Sequence, residues 1–369
     1  MEGAVNPVFD LTIFPAAEGD CLLLSWGGDR DTLHYALIDG GRTGTWKHLK
    51  PALGLIASNG RPLELLVLSH IDADHIDGLN RMLDDGSPIA PKRVWFNGFD
   101  QLRRLDPPTG FSPSGFAGAD RYSMSLADAG WPINADFRGL PVMLETFPER
   151  FEIEGLSLKL LSPDRRKLAA LKAEWDKWRN GQDDAGTGLA PSGQEPGGFA
   201  PAGIRPMPEV LDVDRLCGPS PVDESAPNGS SIAMIAEFGG RRVLFGADAH
   251  PDLLEKALAA VAGDEGKVKL DLFKLAHHGS RANLTRAILE SLDCSRFAIS
   301  TNGSRFGHPD PEAIARILKF GGERDGGKTL YFNYASARTR PWNDEGLRQR
   351  WNFDCRYPEN DEEPLVVSI

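Results

Sequence analysis

LVLSHIDADHIDGL, residues 66 to 79, is the stretch from which the fold is read. An apolar run of strand character passes directly into five ionisable residues within eight positions: His70, Asp72, Asp74, His75 and Asp77. Carboxylates and imidazoles placed together at a strand end are costly to bury unless a cation compensates them. Imidazole and carboxylate ligands on strand ends suit a divalent metal, because the strands fix each ligand's direction while loops leave a coordination position open for water. A bound metal brings that water's pKa toward neutrality, so no serine or cysteine nucleophile is needed. Asp77 is expected to cap the helix that follows.

The remaining histidines and aspartates extend the pattern. Of eight histidines, His250 follows GADA, the pair His277-His278 closes the strand LDLFKLAHHG, and His308 lies in FGHPD. His34 and His48 have no comparable context. Asp248 reads either as a ligand or as a turn aspartate opening a helix. The pair His277-His278 reads either as a ligand source or as a solvated strand end. His308 reads either as a substrate-orienting or leaving-group-protonating imidazole, or as a loop histidine before a proline-initiated helix. Lys274 is expected to face solvent from its strand, and Asp20 to buttress the site or a turn without being a ligand.

Around this centre the chain alternates. Residues 8 to 38 read as strands, 46 to 58 as a helix, then the strand LELLVLSH, a short strand at 93 to 98 and a Gly/Pro-rich excursion to about 140. LSLKLLSP is a strand, and residues 164 to 179 make an amphipathic helix with Leu168, Leu171, Trp175 and Trp178 on one face. From Gly181 to Ser230 the chain holds 9 Gly and 8 Pro without periodicity, which reads as an inserted loop. Two apolar strands joined by Gly239-Gly240 form a hairpin, and strand-helix alternation then runs to TLYFNY.

The chain has 369 residues, 41% of them hydrophobic, enough for a full core. Four widely spaced cysteines form no CxxC pair and suit a reducing, cytoplasmic setting. No apolar run approaches a membrane span, and the N-terminus lacks the features of a signal peptide. A net charge of −12 excludes a globally basic nucleic-acid binder. Two local strips remain open as nucleic-acid surfaces. Residues 164 to 179 carry six Lys/Arg against three acids with Trp175 and Trp178, and 338 to 356 carry five Arg against three acids with Trp342, Trp351 and Phe353. Each reads either as a track for phosphates and stacked bases or as core aromatics beneath a solvated charged face.

His70-x-Asp72-x-Asp74-His75 followed by Gly78 resembles the HxHxDH signature of the metallo-β-lactamase fold hydrolases. Asp39 in LIDGG resembles that family's early strand-end aspartate, and Asp248 in FGADA and the histidines of KLAHHGS resemble its later landmarks, in order. Asp at the second position, the EGDCLLL start and the GHP run are similar to the nuclease-like domain of the bacterial DNA-uptake competence protein; phosphorylcholine esterases are similar at greater distance. The resemblance covers roughly residues 8 to 320. It implies an α/β, four-layer αββα sandwich forming one domain over 1–369, with insertions at about 99–150 and 181–230 and a C-terminal extension at about 335–369.

It also implies two divalent metal ions. His70 and Asp72 would hold one, Asp74 and His75 the other, with Asp248 bridging. One of His277 and His278, His278 for preference, would complete the second position, leaving the other to support a ligand or contact phosphate. Asp74, His277 and His308 would be the catalytic groups. The family's usual intervening histidine is missing, since no histidine lies between His75 and His250. Ser162 or Asp164 stands where it is expected. Together with Asp72, that makes the first position richer in oxygen and favours Mn²⁺ or Mg²⁺ over Zn²⁺ there. The implied activity is hydrolysis by a metal-activated hydroxide, with a phosphodiester in DNA as first candidate. Alternatives are a small phosphodiester, ester or lactone, a protein or modified peptide, and an inactive metal-binding subunit of a larger assembly with a partner protein.

Overall fold

The computed structural model describes residues 7–105, 117–183, 204–322 and 326–369. Two sheets face one another. The six-stranded sheet runs in the order Leu365–Ser368, Val8–Ile13, Leu22–Gly27, His34–Ile38, Leu63–Val67, Val94–Trp95. The eight-stranded sheet runs Phe353–Arg356, Lys328–Phe332, Arg296–Ile299, Leu272–Lys274, Arg241–Phe245, Ala233–Phe238, Leu156–Ser162, Phe151–Ile153. Each begins as an antiparallel meander and becomes parallel: His34–Ile38, Leu63–Val67 and Val94–Trp95 in the first, and the strands from Arg241–Phe245 to Phe353–Arg356 in the second.

Alternation along the strands sorts side chains into three cores. Leu22, Leu24, Leu65, Val67, Val243, Phe245, Leu272 and Ala298 point between the sheets, where Trp26 and Trp95 are also enclosed. Their neighbours Leu23 and Leu66 face outward against Leu49 and Leu53 of helix Trp46–Ser58 and Ile76 and Leu79 of helix Ala73–Asp84. On the opposite outer face Leu244, Phe273 and Phe297 meet Leu254, Leu258, Ile314 and Ile317 of helices Pro251–Ala262 and Pro311–Phe320. The molecule is therefore a four-layer αββα sandwich.

Several expectations are corrected. Residues 117–128, read as part of a Gly/Pro-rich excursion, form a helix that lays Ala119, Tyr122 and Leu126 against helix Ala73–Asp84. Three apolar residues at helical spacing suffice once a neighbouring helix supplies the surface. Of the second expected insertion, 184–203 lies outside the described residues, as does the Trp178 side chain. The chain beyond 335 is woven into both sheets, through Phe353–Arg356 and Leu365–Ser368. Asp77 does not cap the helix: Asp72 occupies the N-cap position, and Asp77 lies in the helix, 3.3 Å from Arg42. Among the described residues no helix is long and apolar enough to cross a membrane.

Candidate metal centre

The parallel halves of both sheets end at the same edge, and the ionisable residues sit just past those ends, where open α/β sheets usually place their ligands. Asp39 follows His34–Ile38, and His70 follows Leu63–Val67. Asp248 follows Arg241–Phe245, and His277-His278 follow Leu272–Lys274. Four non-glycine residues here are left-handed: Asp39 (φ 61°), Ala247 (φ 44°), His277 (φ 47°) and His278 (φ 54°). Such a concentration of costly backbone persists only where surrounding structure imposes it. Gly78 matters for a different reason. A Cβ there would come within 1.9 Å of the Gly40 carbonyl, so glycine lets the helix start press against the Asp39 turn.

Four imidazoles turn the same nitrogen inward. His75 Nδ1–H donates to Asp39 Oδ2 at 2.8 Å, and His278 Nδ1–H to the Ser300 carbonyl at 3.0 Å. His70 Nδ1–H donates to Ser69 Oγ at 3.0 Å, which in turn donates to Asp39 Oδ2 at 2.7 Å. His277 Nδ1–H donates to Asn283 Oδ1 at 2.8 Å, with Asp223 Oδ2 at 3.2 Å. With Nδ1 occupied, Nε2 is the free ligand atom in each ring, the arrangement outer partners commonly impose on metal-binding histidines.

All four Nε2 atoms converge on Asp248. His70, His277 and His278 stand 3.7, 3.6 and 3.7 Å from its Oδ2, and His75 stands 3.7 Å from its Oδ1. Three groups among the described residues are tight enough to hold a cation, and two of them lie at this point: His70 with His75 and Asp248, and Asp74 with His75 and His278. His75 is common to both. Its Nε2 is 3.3 Å from His278 Nε2, closer than Asp248, which sides it with Asp74 and His278. A third group, Asp20 with Asp39 and His75, lies behind the ring of His75 on its Nδ1 side.

Charge is concentrated here. Burial by itself would raise the carboxyls of Asp74 and Asp248, yet the surrounding histidines hold both below the usual range. Burial would likewise lower the imidazoles. Asp72 and Asp248 outweigh it at His70, and Asp248 and Asp223 at His277, so both are pushed up to about 9; His278 is raised well above its ordinary value by Asp248 and Asp20. The carboxylates thus favour positive charge at the Nε2 positions. His70 Nε2 and Asp248 Oδ1 are nevertheless buried without a hydrogen-bond partner. With Nδ1 carrying the proton, Nε2 and the carboxylate oxygen are both lone-pair donors, and buried lone pairs turned to one point are what a divalent ion would satisfy.

The other expected residues fall around this cluster. Asp72 reaches toward it, its Oδ2 3.7 Å from His70 Nε2, with its side chain 31% exposed. His278 is inside the cluster, and His277 is at its rim with 23% of its side chain exposed. His308 stands behind His277, ring centroids 5.3 Å apart, and faces Asp310 at 3.6 Å. Asp164 accepts from Lys167 N at 2.8 Å and so caps a helix, while Ser162 Oγ is buried and unpartnered. Lys274, expected on the surface, is fully buried and donates to Asp20 Oδ2 at 2.6 Å.

Three orienting residues escaped the sequence: Asp223, Asn228 and Asn283. Asp223 Oδ2 accepts from Asn228 Nδ2 at 2.6 Å and Asn283 Nδ2 at 3.0 Å. Asp223 and Asn228 come from the Gly/Pro-rich stretch, where only NGSS beside an apolar strand hinted at order. A cleft of about 480 Å³ opens along the outer side of Asp223, bordered by Arg166, Lys167, His250, Asp252 and Thr285.

The two basic-aromatic strips are largely core. Trp175 is enclosed against Phe99, and Trp342 and Phe353 are buried beneath the second sheet's helices. Arg338 is buried and donates to the carbonyls of Gly307 and Arg205.

No family model and no curated protein matches the chain. Solved structures do align with it. One described as a candidate metal-dependent hydrolase from Parabacteroides distasonis aligns over 95% of this chain and 94% of that one, at 11% identity and a TM-score of 0.38. The metallo-β-lactamase fold protein YhfI from Bacillus subtilis aligns over 97% and 99%, at 10% identity and 0.38. Zn²⁺-bound PqqB from Methylobacterium extorquens aligns over 98% and 100%, at 12% identity and 0.42. The layering and the cluster described above rest on strand order, core packing and ligand geometry, not on these alignments.

Proposed function

We propose that this chain is a metal-dependent hydrolase acting on a phosphodiester. The observation that carries the reading is the convergence of four Nε2 atoms on Asp248, each ring held by a partner at Nδ1. Divalent ions bound there would supply a Lewis acid and a water of lowered pKa, and two together would suit both sides of a phosphoryl centre. His70, Asp72 and Asp248 would hold one ion, and Asp74, His75, His278 and Asp248 the other. Asp72 makes the first position richer in oxygen, so Mn²⁺ or Mg²⁺ is favoured over Zn²⁺ at that position.

The chain's own groups do the rest. Asp39 and the Ser300 carbonyl keep His75 and His278 from rotating, and Asp223 with Asn283 does the same for His277. His277, the most exposed of the four rings, presents Nε2 to an incoming substrate oxygen. His308 packs behind it and limits its tilt.

DNA is the polymeric form of this reading, and a short phosphodiester or ester is the second. Burial of Trp175, Trp342 and Phe353 favours the second, because it leaves the half-buried Trp351 as the one described tryptophan of the two strips on which a base would stack. Lys167 and Arg166, beside the nearest cleft, are both held by Asp252 at 2.8 and 2.9 Å. The test is turnover of bis-p-nitrophenyl phosphate, linear DNA and a lactone with Mn²⁺, Zn²⁺ or EDTA, beside an Asp74→Ala, His75→Ala double variant. Phosphodiester cleavage abolished by EDTA and by the double variant supports the reading. Lactone or carboxylic ester turnover alone overturns the phosphodiester assignment, and metal uptake without any turnover makes the chain a binding subunit.

A further inference from the structure

The turn between the first two strands, residues 15 to 20, ties the two sheets together at the metal centre. On one side it touches the first turn of helix Ala73–Asp84: Asp20 N–H donates to the Asp74 carbonyl at 3.3 Å. A Cβ on Gly19 would come within 1.8 Å of that same carbonyl oxygen. On the other side it is held by the eight-stranded sheet. Ser300 Oγ donates to the Gly19 carbonyl at 2.8 Å, Asn302 N–H to the Ala17 carbonyl at 2.8 Å, and Ala17 N–H to Tyr334 Oη at 2.9 Å.

At the tip, Asp20 meets Lys274. Lys274 Nζ donates to Asp20 Oδ2 at 2.6 Å and to the Leu275 carbonyl at 3.1 Å. The two residues are 0% and 1% exposed. Asp20 Oδ1 faces His278 Nδ1 at 3.4 Å and has no close hydrogen-bond partner. A buried ion pair of this kind is a poor source of stability, since well-packed apolar residues in its place commonly do as well or better. Leu272, two residues earlier on the same face of the strand, is buried in the apolar core between the sheets, which continues as far as position 274. Stability therefore does not account for the pair, whereas its position does: it lies between the first helical turn at Asp74, which follows a strand of one sheet, and the ring of His278, which follows a strand of the other.

We propose that the Asp20–Lys274 ion pair is a positioning device that holds Asp74 and His278 at the spacing where both serve one metal ion. The inference rests on the metal-dependent reading above. Neither residue touches the Nε2 side of the cluster, so both act through the ligands and not on substrate. The effect falls on the ion held by Asp74, His75 and His278; His70 and Asp72, on the far side of the cluster, are left in place. Outer partners of metal ligands typically change affinity by about 10- to 100-fold when removed.

The experiment is titration of metal-stripped protein with Zn²⁺ and with Mn²⁺ against a chromophoric chelator, with thermal unfolding of each variant alongside. Wild type is expected to take up two ions. Lys274→Met and Asp20→Asn are expected to keep one and to bind the other about 10- to 100-fold more weakly. Should either single variant fail to fold, the Asp20→Asn, Lys274→Met double variant removes both charges and carries the test: recovered thermal stability without recovered affinity for the second ion supports the proposal. Unchanged affinity for both ions overturns it. So does an equal loss of the same ion in Leu289→Ala, a core variant remote from the cluster and destabilised through packing alone. Wild type that takes up no divalent ion defeats the metal-dependent reading itself, and this proposal with it.

Discussion

On the six-stranded sheet, His70, Asp72, Asp74 and His75 arrive within six residues, on one strand end and the first turn of one helix. On the eight-stranded sheet, Asp248 and the pair His277-His278 come from two separate strand ends, and the groups that orient them, Asp223, Asn283 and Ser300, come from three further segments. The first half is spaced locally, since the strand sets the entry and the helix sets the spacing of Asp74 and His75, with Asp39 of the neighbouring strand end as its one distant orienting group. The second half is preorganised only by the fold. Removing a group should therefore do different things in the two halves.

The largest effect is expected at the residue the halves share. Asp248→Ala removes the carboxylate on which all four Nε2 atoms converge, and about a thousandfold loss of turnover, with loss of bound metal, is expected from the several kcal/mol a catalytic metal supplies. Measured kcat/KM and metal content decide it; retained turnover would deny Asp248 its central place. Trp175→Ala tests the other sense in which sequence proximity misleads. It should lower stability by about 3–5 kcal/mol in denaturant unfolding and leave the affinity of the folded protein for DNA unchanged, because the ring packs on Phe99. A loss of DNA affinity at unchanged stability would restore the strip as a binding surface.

Asp223→Ala sharpens the comparison. About a 10- to 100-fold fall in kcat/KM is expected, because His277 loses one acceptor at Nδ1 but keeps Asn283. A fall as large as that of Asp248→Ala would put His277 among the obligatory ligands. The smallest effect is in pH. In the metal-stripped protein His70 and His277 lie at about 9, against an ordinary 6.5. A raised folded-state value means their contribution is fully present below 6.5 and is lost as pH climbs toward 9. The melting temperature of EDTA-treated protein should therefore fall by a few degrees over that interval, while the metal-loaded protein changes less. A flat profile for the stripped protein would mean that the carboxylates are not holding protons on these rings.

Much of the fold was legible because its signals are local. The Gly239-Gly240 hairpin, helix Trp46–Ser58 and the strand before His70 each follow from a period of 2 or 3.6 and from turn chemistry. Helix 117–128 was missed because its three apolar contacts have value only against helix Ala73–Asp84. Lys274 was misplaced for a related reason. A lysine within a strand normally faces water, and the partner that makes its burial tolerable, Asp20, lies far away in the chain. The basic-aromatic strips stayed open in the sequence, since composition does not tell a tryptophan stacked on a base from one sealed in a core, as Trp175 and Trp342 are.

LIDGG, SHIDADH and the later GADA and AHHGS runs by themselves determined that imidazoles and carboxylates stand at strand ends in the order a metal site requires. Strand ends are directional, and the spacing within a single turn is set by covalent geometry. Which nitrogen each ring offers, that His278 is inside the cluster while His277 stands at its rim, and that Asp223 and Asn283 orient His277 were decided only by tertiary structure. Those facts depend on hydrogen bonds between residues of different sheets and loops, and no local pattern records which distant acceptor will stand opposite a buried N–H.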